Sequence, residues 1–317
     1  MAGFITQKIK KLYFKKWIIG VFRGDLEEII RSKTFDPQIK WLWKRRFAKF
    51  YADPFILSSD ENEIKVLIEE FPFKQDYGKL ALMKLDKNFR QTGYKIILDT
   101  GSHLSYPFFY KEDGRTFVFP EAGQSGKFSC YEFNYSDEKL HFVKDILDVP
   151  LLDSTIIKRN GKYWIFGAIG ANKQPYKLFI YYSDNLLGPY SAHPMNPVKA
   201  DLDGSRPAGN MIEVDGVLYR PAQNCRNIYG ESMTVNKIIS FDETRFEEVP
   251  YMTISINKDN VNNKGVNTIH TINALNGVIV VDGIRWTFAP IMQIKSHLDN
   301  RKKEKRMKMA SSGKQPG

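Results

Sequence analysis

The sequence predicts an all-β protein, a five-bladed β-propeller with basic N- and C-terminal extensions. Aromatic residues make up 14% of the 317 residues, and aromatic residues favour strands. One hairpin pattern returns five times, and its copies are spaced by roughly 50 residues, the size of a four-stranded propeller blade. The alternative, a β-sandwich with unrelated hairpins, leaves this regular spacing unexplained.

Each copy of the pattern consists of an apolar strand, a tight turn and a second strand of aromatic or β-branched residues. The turns are rich in Asp, Asn and Gly, which adopt the positive φ angles that short hairpin loops need. The first copy has this pattern without the glycine. The copies lie at residues 54–68, 106–119, 154–166, 210–219 and 269–281.

The charge of the chain divides it into three parts: a basic amphipathic segment at residues 1–16, the propeller at residues 17–290 and a basic, disordered tail at residues 291–317. Residues 1–50 hold 13 basic and 4 acidic residues, and the tail holds 8 and 2, in a chain of net charge +11. The middle is therefore mildly acidic. Because nucleic-acid-binding proteins usually carry basic charge on the working face, we expect no nucleic-acid partner.

The basic ends suit either solvated tails or contact with an anionic membrane surface. In the first segment, Ile5, Ile9 and Leu12 have helical spacing among lysines, as in an interfacial amphipathic helix; an ordinary lead-in helix or strand is the alternative. Lysines interrupt the apolar runs, so no signal peptide is predicted. No stretch approaches the roughly 20 apolar residues of a membrane span. We expect a cytoplasmic protein, peripheral at the inner membrane face.

Polar residues near the starts and ends of the hairpins are expected to converge. The first strand of each propeller blade lines the central channel, so side chains placed just before these strands face one polar region, here called the funnel. The residues concerned are Asp53, His103, Tyr106, Asp153, Arg206 and His270 at hairpin starts, and Glu121, Arg220 and Gln223 at hairpin exits.

Carboxylates that face one funnel suit glycosyl chemistry, in which one acts as base or nucleophile and another holds a proton for the leaving oxygen. We predict Asp53, Asp153 and Glu121 as catalytic residues. The alternative is that the two aspartates cap turns or strand starts, and that the histidines are satisfied core residues. The remaining funnel residues are predicted to bind substrate: His103, Tyr106, Arg206, Arg220, Gln223 and His270.

No cofactor is predicted. The sequence has no phosphate-binding glycine loop, and its His and Cys residues lack metal-ligand spacing. Its two cysteines, Cys130 and Cys225, are too few for a disulfide framework.

Several motifs that follow one another in a fixed order resemble a known family. That family is the propeller domain at the N-terminus of plant glucosamine inositolphosphorylceramide transferase, which also occurs in bacterial sugar-modifying and polysaccharide-assembly proteins. The resemblance runs from about Trp17 to about Arg285. The motifs include YADPFIL at 51–57, HLSYPF at 103–108, LDSTI at 152–156, SRPAG at 205–209 and LYRPAQNC at 218–225.

This domain is similar, more distantly, to the five-bladed propellers of arabinanases, xylosidases and invertases. The resemblance implies that Asp53 matches the base or nucleophile of the first blade, and that Asp153 matches the aspartate that tunes the acid. The general acid of that group is a glutamate in a Glu-Gly-Pro-like context, which is absent here. Glu121 is the nearest substitute, and this departure speaks against simple hydrolysis.

These observations favour a glycosyltransferase of glycan assembly, acting on a sugar or a lipid-linked glycan. A nucleotide sugar is the candidate donor, its phosphates held by Arg206 and Arg220. Asp53 would deprotonate the acceptor hydroxyl, while Asp153 or Glu121 would orient the sugar. A noncatalytic carbohydrate-binding module is the second hypothesis, and a glycoside hydrolase is the third.

Overall fold

The computed structural model describes residues 13–42, 48–170, 176–257 and 261–288. Residues 17–283 form one compact unit, and the described residues 13–16 and 284–288 continue its first and last strands. Five sheets make up the described structure, which confirms the predicted five-bladed β-propeller. The predicted helix around Ile5–Leu12 and the predicted tail at 291–317 lie outside the described residues.

The strands are short and mostly antiparallel to their chain neighbours. They are β1 (Tyr13–Arg23), β2 (Lys40–Trp41), β3 (Lys49–Ser59), β4 (Glu63–Pro72), β5 (Lys79–Asp86), β6 (Gln91–Leu98), β7 (Ser105–Glu112), β8 (Arg115–Glu121), β9 (Phe128–Asn134), β10 (Lys139–Leu147), β11 (Leu152–Arg159), β12 (Lys162–Ile169), β13 (Tyr176–Ser183), β14 (Ser191–Ala192), β15 (Lys199–Asp201), β16 (Ile212–Val214), β17 (Val217–Asn224), β18 (Ser232–Phe241), β19 (Phe246–Ile254), β20 (Ile272–Leu275) and β21 (Val278–Phe288).

Four blades are continuous in the chain, and the fifth is not. Blade 1 contains β3–β6, blade 2 contains β7–β10, blade 3 contains β11–β14 with β15 paired to β13, and blade 4 contains β16–β19. Blade 5 has the strand order β2-β1-β21-β20. Strands from both ends of the described chain therefore complete the ring, which leaves no open gap between the first and last blades.

The predicted hairpins form, and their turns have the expected backbone. Asp113, Asn160, Asp215 and Asn276 each have φ between 50° and 52° and precede a glycine that also has positive φ. Two successive residues of positive φ are the signature of the type I′ turn, whose twist matches that of the flanking strands.

The first strand of blades 1, 2 and 3 carries an irregularity at the same place. The strand register shifts between Ala52 and Phe55, between Ser105 and Phe108, and between Leu152 and Thr155. Inside these shifts Asp53, Tyr106 and Asp153 have positive φ values of 51°, 44° and 48°. Such bulges interrupt the ladder and redirect a side chain, and here they set three polar side chains among buried residues.

Aromatic side chains pack blade 1 against blade 2. The Phe55 ring meets those of Tyr106 and Phe108 edge-on, with centroid separations of 4.9 and 6.0 Å. Edge-to-face pairs of this kind stabilise a core beyond the area that they bury. The bulged first strands of blades 1 and 2, β3 and β7, are therefore packed against each other through buried aromatic side chains.

One α-helix, α1 (Leu26–Ser32), occurs in the described chain. Asp25 caps it by accepting the backbone N–H of Glu27 at 2.9 Å, which satisfies one of the free donors of a helix start. Leu26 and Ile30 are its buried residues. None of the described helices is long and apolar enough to cross a membrane.

Candidate functional site

At each of the three bulges, a backbone N–H group donates a hydrogen bond to a carboxylate side chain. The N–H of Asp53 donates to Asp282 Oδ2 at 2.9 Å, that of Tyr106 donates to Asp53 Oδ2 at 3.1 Å, and that of Asp153 donates to Glu121 Oε2 at 3.2 Å. Each bond joins a first strand to a neighbouring strand or blade. The carboxylates are thus both part of the scaffold and concentrated at one place.

The Asp53 cluster comprises Asp53, His270 and Asp282. His270 Nδ1 lies 2.9 Å from Asp282 Oδ2 and 3.6 Å from Asp53 Oδ1. Asp282 Oδ1 also accepts the backbone N–H and the hydroxyl of Thr271, both at 2.9 Å. Asp53 Oδ1 is buried and has no hydrogen-bond partner among the described residues. Its neighbour at ion-pair distance in this cluster is His270.

Burial and mutual repulsion set the charge states of the Asp53 cluster. Burial, together with the charges of Asp282 and Asp153, raises the pKa of Asp53 to about 7 in spite of His270. Burial lowers the pKa of His270, but the hydrogen bond and charge of Asp282, together with the charges of Asp53 and Asp153, outweigh it, and the pKa is about 9. At neutral pH the imidazole is therefore a cation, and it interacts with the carboxyl groups of both Asp53 and Asp282.

The Arg206 cluster comprises Arg206, Asp153, Glu121 and Gln223. Arg206 Nε donates to Asp153 Oδ2, and its Nη2 donates to Glu121 Oε2 at 3.3 Å. Gln223 Nε2 donates to the same Asp153 oxygen at 2.6 Å. Burial and the Asp153 charge raise the pKa of Glu121 to about 8, although Arg206 opposes the shift. Glu121 consequently holds a proton at neutral pH, beside an aspartate whose charge Arg206 compensates.

Glu69 and His103 are two further residues that interact electrostatically with the two clusters, and they are called their lining here. Glu69 is buried in β4, and burial and the neighbouring carboxylates raise its pKa well above the ordinary value. His103 Nδ1 accepts the backbone N–H of Gly78 at 2.8 Å and lies 4.0 Å from Glu69 Oε1. Burial and the Arg206 charge lower the pKa of His103, so it is a neutral ring that keeps its proton on Nε2.

Tyr106 has a position that favours a structural role. The side chain is fully buried. Its hydroxyl accepts the backbone N–H of Gly209 at 2.7 Å and lies 3.2 Å from Thr155 Oγ1. These contacts join blade 2 to blades 3 and 4.

Arg220 is engaged elsewhere. Its Nε and Nη2 donate to the two oxygens of Glu248 at 2.8 and 2.6 Å, and Lys199 also contacts Glu248 at 2.9 Å. This buried pair ties β17 to β19. The substrate-binding role predicted for Arg220 stays a prediction without a supporting contact.

Aromatic rings lie over both clusters. The guanidinium carbon of Arg206 is 5.1 Å from the ring centroids of both Tyr176 and Tyr229. Tyr229 also places its hydroxyl 3.1 Å from His270 Nε2, and Trp17 packs on the His270 ring at 4.5 Å. Tyr229 thus touches the Arg206 cluster with its ring and the Asp53 cluster with its hydroxyl.

The Asp53 cluster is also the arrangement that could hold a metal ion. One ligand atom from each of Asp53, His270 and Asp282 lies within 4.8 Å of the others. A metal on His270 Nδ1 would have to replace the proton that now joins His270 to Asp282. The hydrogen bonds of Asp282 with Asp53, His270 and Thr271 account for the geometry of the cluster.

Seven of the nine predicted site residues belong to these connected clusters and their lining, and Tyr106 and Arg220 serve the scaffold. Sequence reasoning missed Glu69, Asp282 and Tyr229. Glu69 lies opposite Ala52, and Glu121 lies opposite Ser105, each directly before a bulge. Extending this register to every hairpin exit would have found Glu69. A charged residue after the buried run Val278–Val281 was the signal for Asp282.

Comparison with solved structures supports the architecture. Zg3597, a family 117 glycoside hydrolase of the marine bacterium Zobellia galactanivorans, superposes with a TM-score of 0.53 over 88% of this chain and 92% of its own, at 14% sequence identity. At this identity the likeness concerns the fold alone.

Sequence relatives are closer. Glucosamine inositolphosphorylceramide transferase 1 of Arabidopsis thaliana is 32% identical over 232 residues, 70% of this chain and 30% of the relative. The protein of the same name from Oryza sativa subsp. japonica is 30% identical over 210 residues, 64% of this chain and 28% of the relative. This chain thus spans less than a third of the length of these relatives.

The sequence profile described as glucosamine inositolphosphorylceramide transferase 1, N-terminal, matches residues 44–278. This span includes blades 1 to 4, the bulges and both clusters except Asp282. The chain therefore belongs to the family of the N-terminal domain of glucosamine inositolphosphorylceramide transferase 1.

Proposed function

We propose that the funnel binds a sugar and that the protein transfers a glycosyl group in glycan assembly. The observation that carries this proposal is the pair of buried acids Asp53 and Glu121, whose pKa values of about 7 and about 8 lie near neutrality. Each stands beside a carboxylate with a cationic partner, Asp282 with His270 and Asp153 with Arg206. Perturbed acids that are grouped in this way are typical of acid–base catalysis.

The clusters suggest a division of work. Asp53 Oδ1, which has no partner among the described residues, would accept the proton of the acceptor hydroxyl as that oxygen attacks the anomeric carbon. The bond from the anomeric carbon to the donor oxygen breaks, and the leaving group departs with the electron pair. Glu121, protonated at neutral pH, would donate a hydrogen bond or its proton to that oxygen. Arg206 positions Asp153 and Glu121, because its guanidinium already contacts both.

The charge of the funnel favours a sugar that carries an amino group. Five buried carboxyl groups, those of Asp53, Glu69, Glu121, Asp153 and Asp282, face two buried cationic groups, Arg206 and His270. An ammonium group would favour the ionised forms of Asp53, Glu69 and Glu121, whose pKa values are raised, so that its binding would be coupled to the loss of their protons. The plant relatives are named for glucosamine, which is consistent with an amino sugar as one substrate here.

A noncatalytic sugar-binding module is the second candidate. It is favoured by the fact that this chain spans about 30% of the plant relatives, whose transfer chemistry could reside in the remainder. In that case the carboxylates would accept hydrogen bonds from sugar hydroxyls and no bond would break.

The cellular setting that we propose is the cytoplasmic face of a membrane. Residues 1–50 and 291–317 both have a net positive charge, with 13 basic against 4 acidic residues and 8 against 2, and each lysine or arginine near an anionic surface adds about 1 kcal/mol of attraction. The substrate would then be a lipid-linked glycan or a sugar presented at that surface.

The test is a panel of nucleotide sugars, with amino sugars among them, read by thermal shift and by nucleotide release. A donor that stabilises the protein and is consumed only when an acceptor is present supports transfer. Asp53→Asn should stop release, whereas Asp113→Asn, an exposed aspartate with the same backbone conformation (φ 50°), should not.

Other results would redirect the assignment. Stabilisation by free oligosaccharides without turnover would favour the binding module, and their cleavage would favour a hydrolase. No response to any sugar would reject the proposal.

A further inference from the structure

Tyr229 is the partly exposed residue that contacts both Arg206 and His270. Its side chain is partly exposed, with the residue at 37%, while Arg206 and His270 beneath it are buried. Within the described residues, Arg206 is engaged by Asp153, Glu121 and Tyr176, and His270 Nδ1 is engaged by Asp282. The bond between His270 Nε2 and the Tyr229 hydroxyl, 3.1 Å long, is the link of this network that a ligand would meet from outside.

We propose that the Tyr229 hydroxyl holds the hydrogen-bonding position at His270 Nε2 that a sugar hydroxyl takes when a ligand binds, which makes Tyr229 a residue that selects the ligand. This inference rests on the proposed function. A phenol and a sugar hydroxyl can each donate and accept one hydrogen bond. The exchange therefore leaves no buried polar atom unpaired, since the displaced phenol oxygen turns to water.

Backbone hydrogen bonds hold the loop around Tyr229, so we expect a ligand to displace the side chain and not the loop. The N–H of Cys225 donates to the Leu202 carbonyl at 2.7 Å, and the N–H of Glu231 donates to the Asn224 carbonyl at 3.0 Å. These bonds hold both ends of the loop. At Gly230, with φ of +65°, a Cβ would lie 2.8 Å from the Trp17 ring and 2.9 Å from His270 Cβ. The close approach depends on that glycine and places Tyr229 over the funnel.

Rotation of Tyr229 would open both clusters together. The same ring covers the Arg206 guanidinium at 5.1 Å and lies 5.3 Å from the His270 ring. A ligand that displaces it gains access to the cation of each cluster in one movement. A ligand without a hydroxyl at the matching position would leave His270 Nε2 buried and unpaired, which costs more than the lost bond alone.

The experiment compares Tyr229→Phe and Tyr229→Ala with Ile228→Ala, a neighbour in the same loop that is 38% exposed. Affinity for a panel of methyl glycosides is measured by calorimetry. Tyr229→Phe removes the competing hydroxyl and keeps the ring, so we expect tighter binding by about three- to tenfold, the factor of one ordinary hydrogen bond. Ile228→Ala should bind as the wild type does.

A second measurement needs no ligand. Deuterium exchange at C2 of the His270 imidazole, read by mass spectrometry with buried His193 as the internal reference, should quicken several-fold in Tyr229→Ala and stay unchanged in Ile228→Ala. Unchanged exchange in Tyr229→Ala would overturn the covering role.

The binding outcomes separate this inference from the proposed function. Equal or weaker binding by Tyr229→Phe, with wild-type binding intact, rejects the inference alone. If neither protein binds any methyl glycoside, both are rejected.

Discussion

Asp53 Oδ2 accepts the backbone N–H of Tyr106 at 3.1 Å, and this bond joins the first strand of blade 1 to that of blade 2. The two oxygens of the carboxyl group consequently have different tasks. One holds neighbouring blades in place, and Oδ1 is free for chemistry. The structural role of Asp53 therefore concerns Oδ2, whereas its predicted catalytic role concerns Oδ1 and stays a prediction.

Asp53→Asn should separate these tasks. The side-chain amide oxygen can still accept the Tyr106 N–H, and asparagine tolerates positive φ, so we expect the free energy of unfolding to change by about 1 kcal/mol or less. Sugar turnover should be lost because an amide takes up no proton. Denaturant unfolding and nucleotide release measure the two effects. A large loss of stability with activity retained would assign Asp53 to the scaffold alone.

Arg206→Ala should destabilise the protein strongly. It leaves Asp153 and Glu121 buried without their cation, and breaking a buried pair in this way costs about 3–5 kcal/mol. Arg226→Ala, which removes an exposed pair with Asp203, should cost at most about 1 kcal/mol. Urea unfolding measures both. If both variants lose equally little stability, the carboxyl groups of the Arg206 cluster are well hydrated. Loss of ligand binding in Arg206→Ala could then be assigned to the missing guanidinium group.

Stability should fall as pH rises from about 5 to about 9. Folding raises the pKa of Asp53 from 3.8 to about 7 and that of Glu121 from 4.5 to about 8, so the native state holds these protons more tightly and loses stability as pH passes through these ranges. His270, raised from 6.5 to about 9, acts in the same direction: its contribution is complete below pH 6.5 and lost by about pH 9.

The matched test of this dependence is Glu121→Gln against the exposed Glu247→Gln. Melting temperatures across the pH range should fall less steeply in Glu121→Gln and as in the wild type in Glu247→Gln. A melting temperature that rises with pH would contradict the assigned shifts.

Gly209→Ala should weaken the contact between blades 4 and 5. Gly209 has φ of 129°, and a Cβ there would lie 2.0 Å from the carbonyl oxygen of Ile272, so backbone must move. We expect a loss of about 2 kcal/mol or more. Gly123→Ala, where the nearest atom would be 3.4 Å away, is the control. Similar melting temperatures for the two variants would show that this strand junction adapts freely.

The basic N-terminal segment should strengthen binding to anionic vesicles. Strand β1 begins at Tyr13, so deletion of residues 1–12 tests the segment and keeps the strand. We expect weaker sedimentation with phosphatidylserine vesicles and no change with neutral ones. Unchanged binding to the anionic vesicles would remove this segment from the membrane proposal.

The fold could be predicted because its signals are local. The turns at Asp113, Asn160, Asp215 and Asn276 each pair a residue tolerant of positive φ with a glycine, and the apolar strands on either side follow directly. The convergence of Asp53, Asp153 and Arg206 could be predicted as well, since a propeller brings equivalent strand positions together.

The contacts among the funnel residues could not be predicted from the sequence, because they depend on the tertiary structure. The sequence alone leaves Asp153 free to pair with Arg206, with Arg220 or with neither. In the structure, β17 and β19 both pair with β18, and Arg220 of β17 contacts Glu248 of β19. The positive φ values of Asp53 and Tyr106 have no sequence signature, because the bulge depends on the carboxylate that caps it. Tyr229 reaches His270 beside the bend at Gly230, where any side chain would meet Trp17 and His270.

The discontinuous fifth blade has a consequence for biosynthesis. During translation, strands β1 and β2 are synthesised before blades 1 to 4, and β20 and β21 are synthesised after them, so the ring stays open until nearly the whole described chain has been made. Until β21 is available, the edge of β1 that it covers has no strand partner. Premature termination anywhere before β21 would leave blade 5 without its β1–β21 pairing, and would leave the Asp53 N–H and His270 without the carboxylate of Asp282.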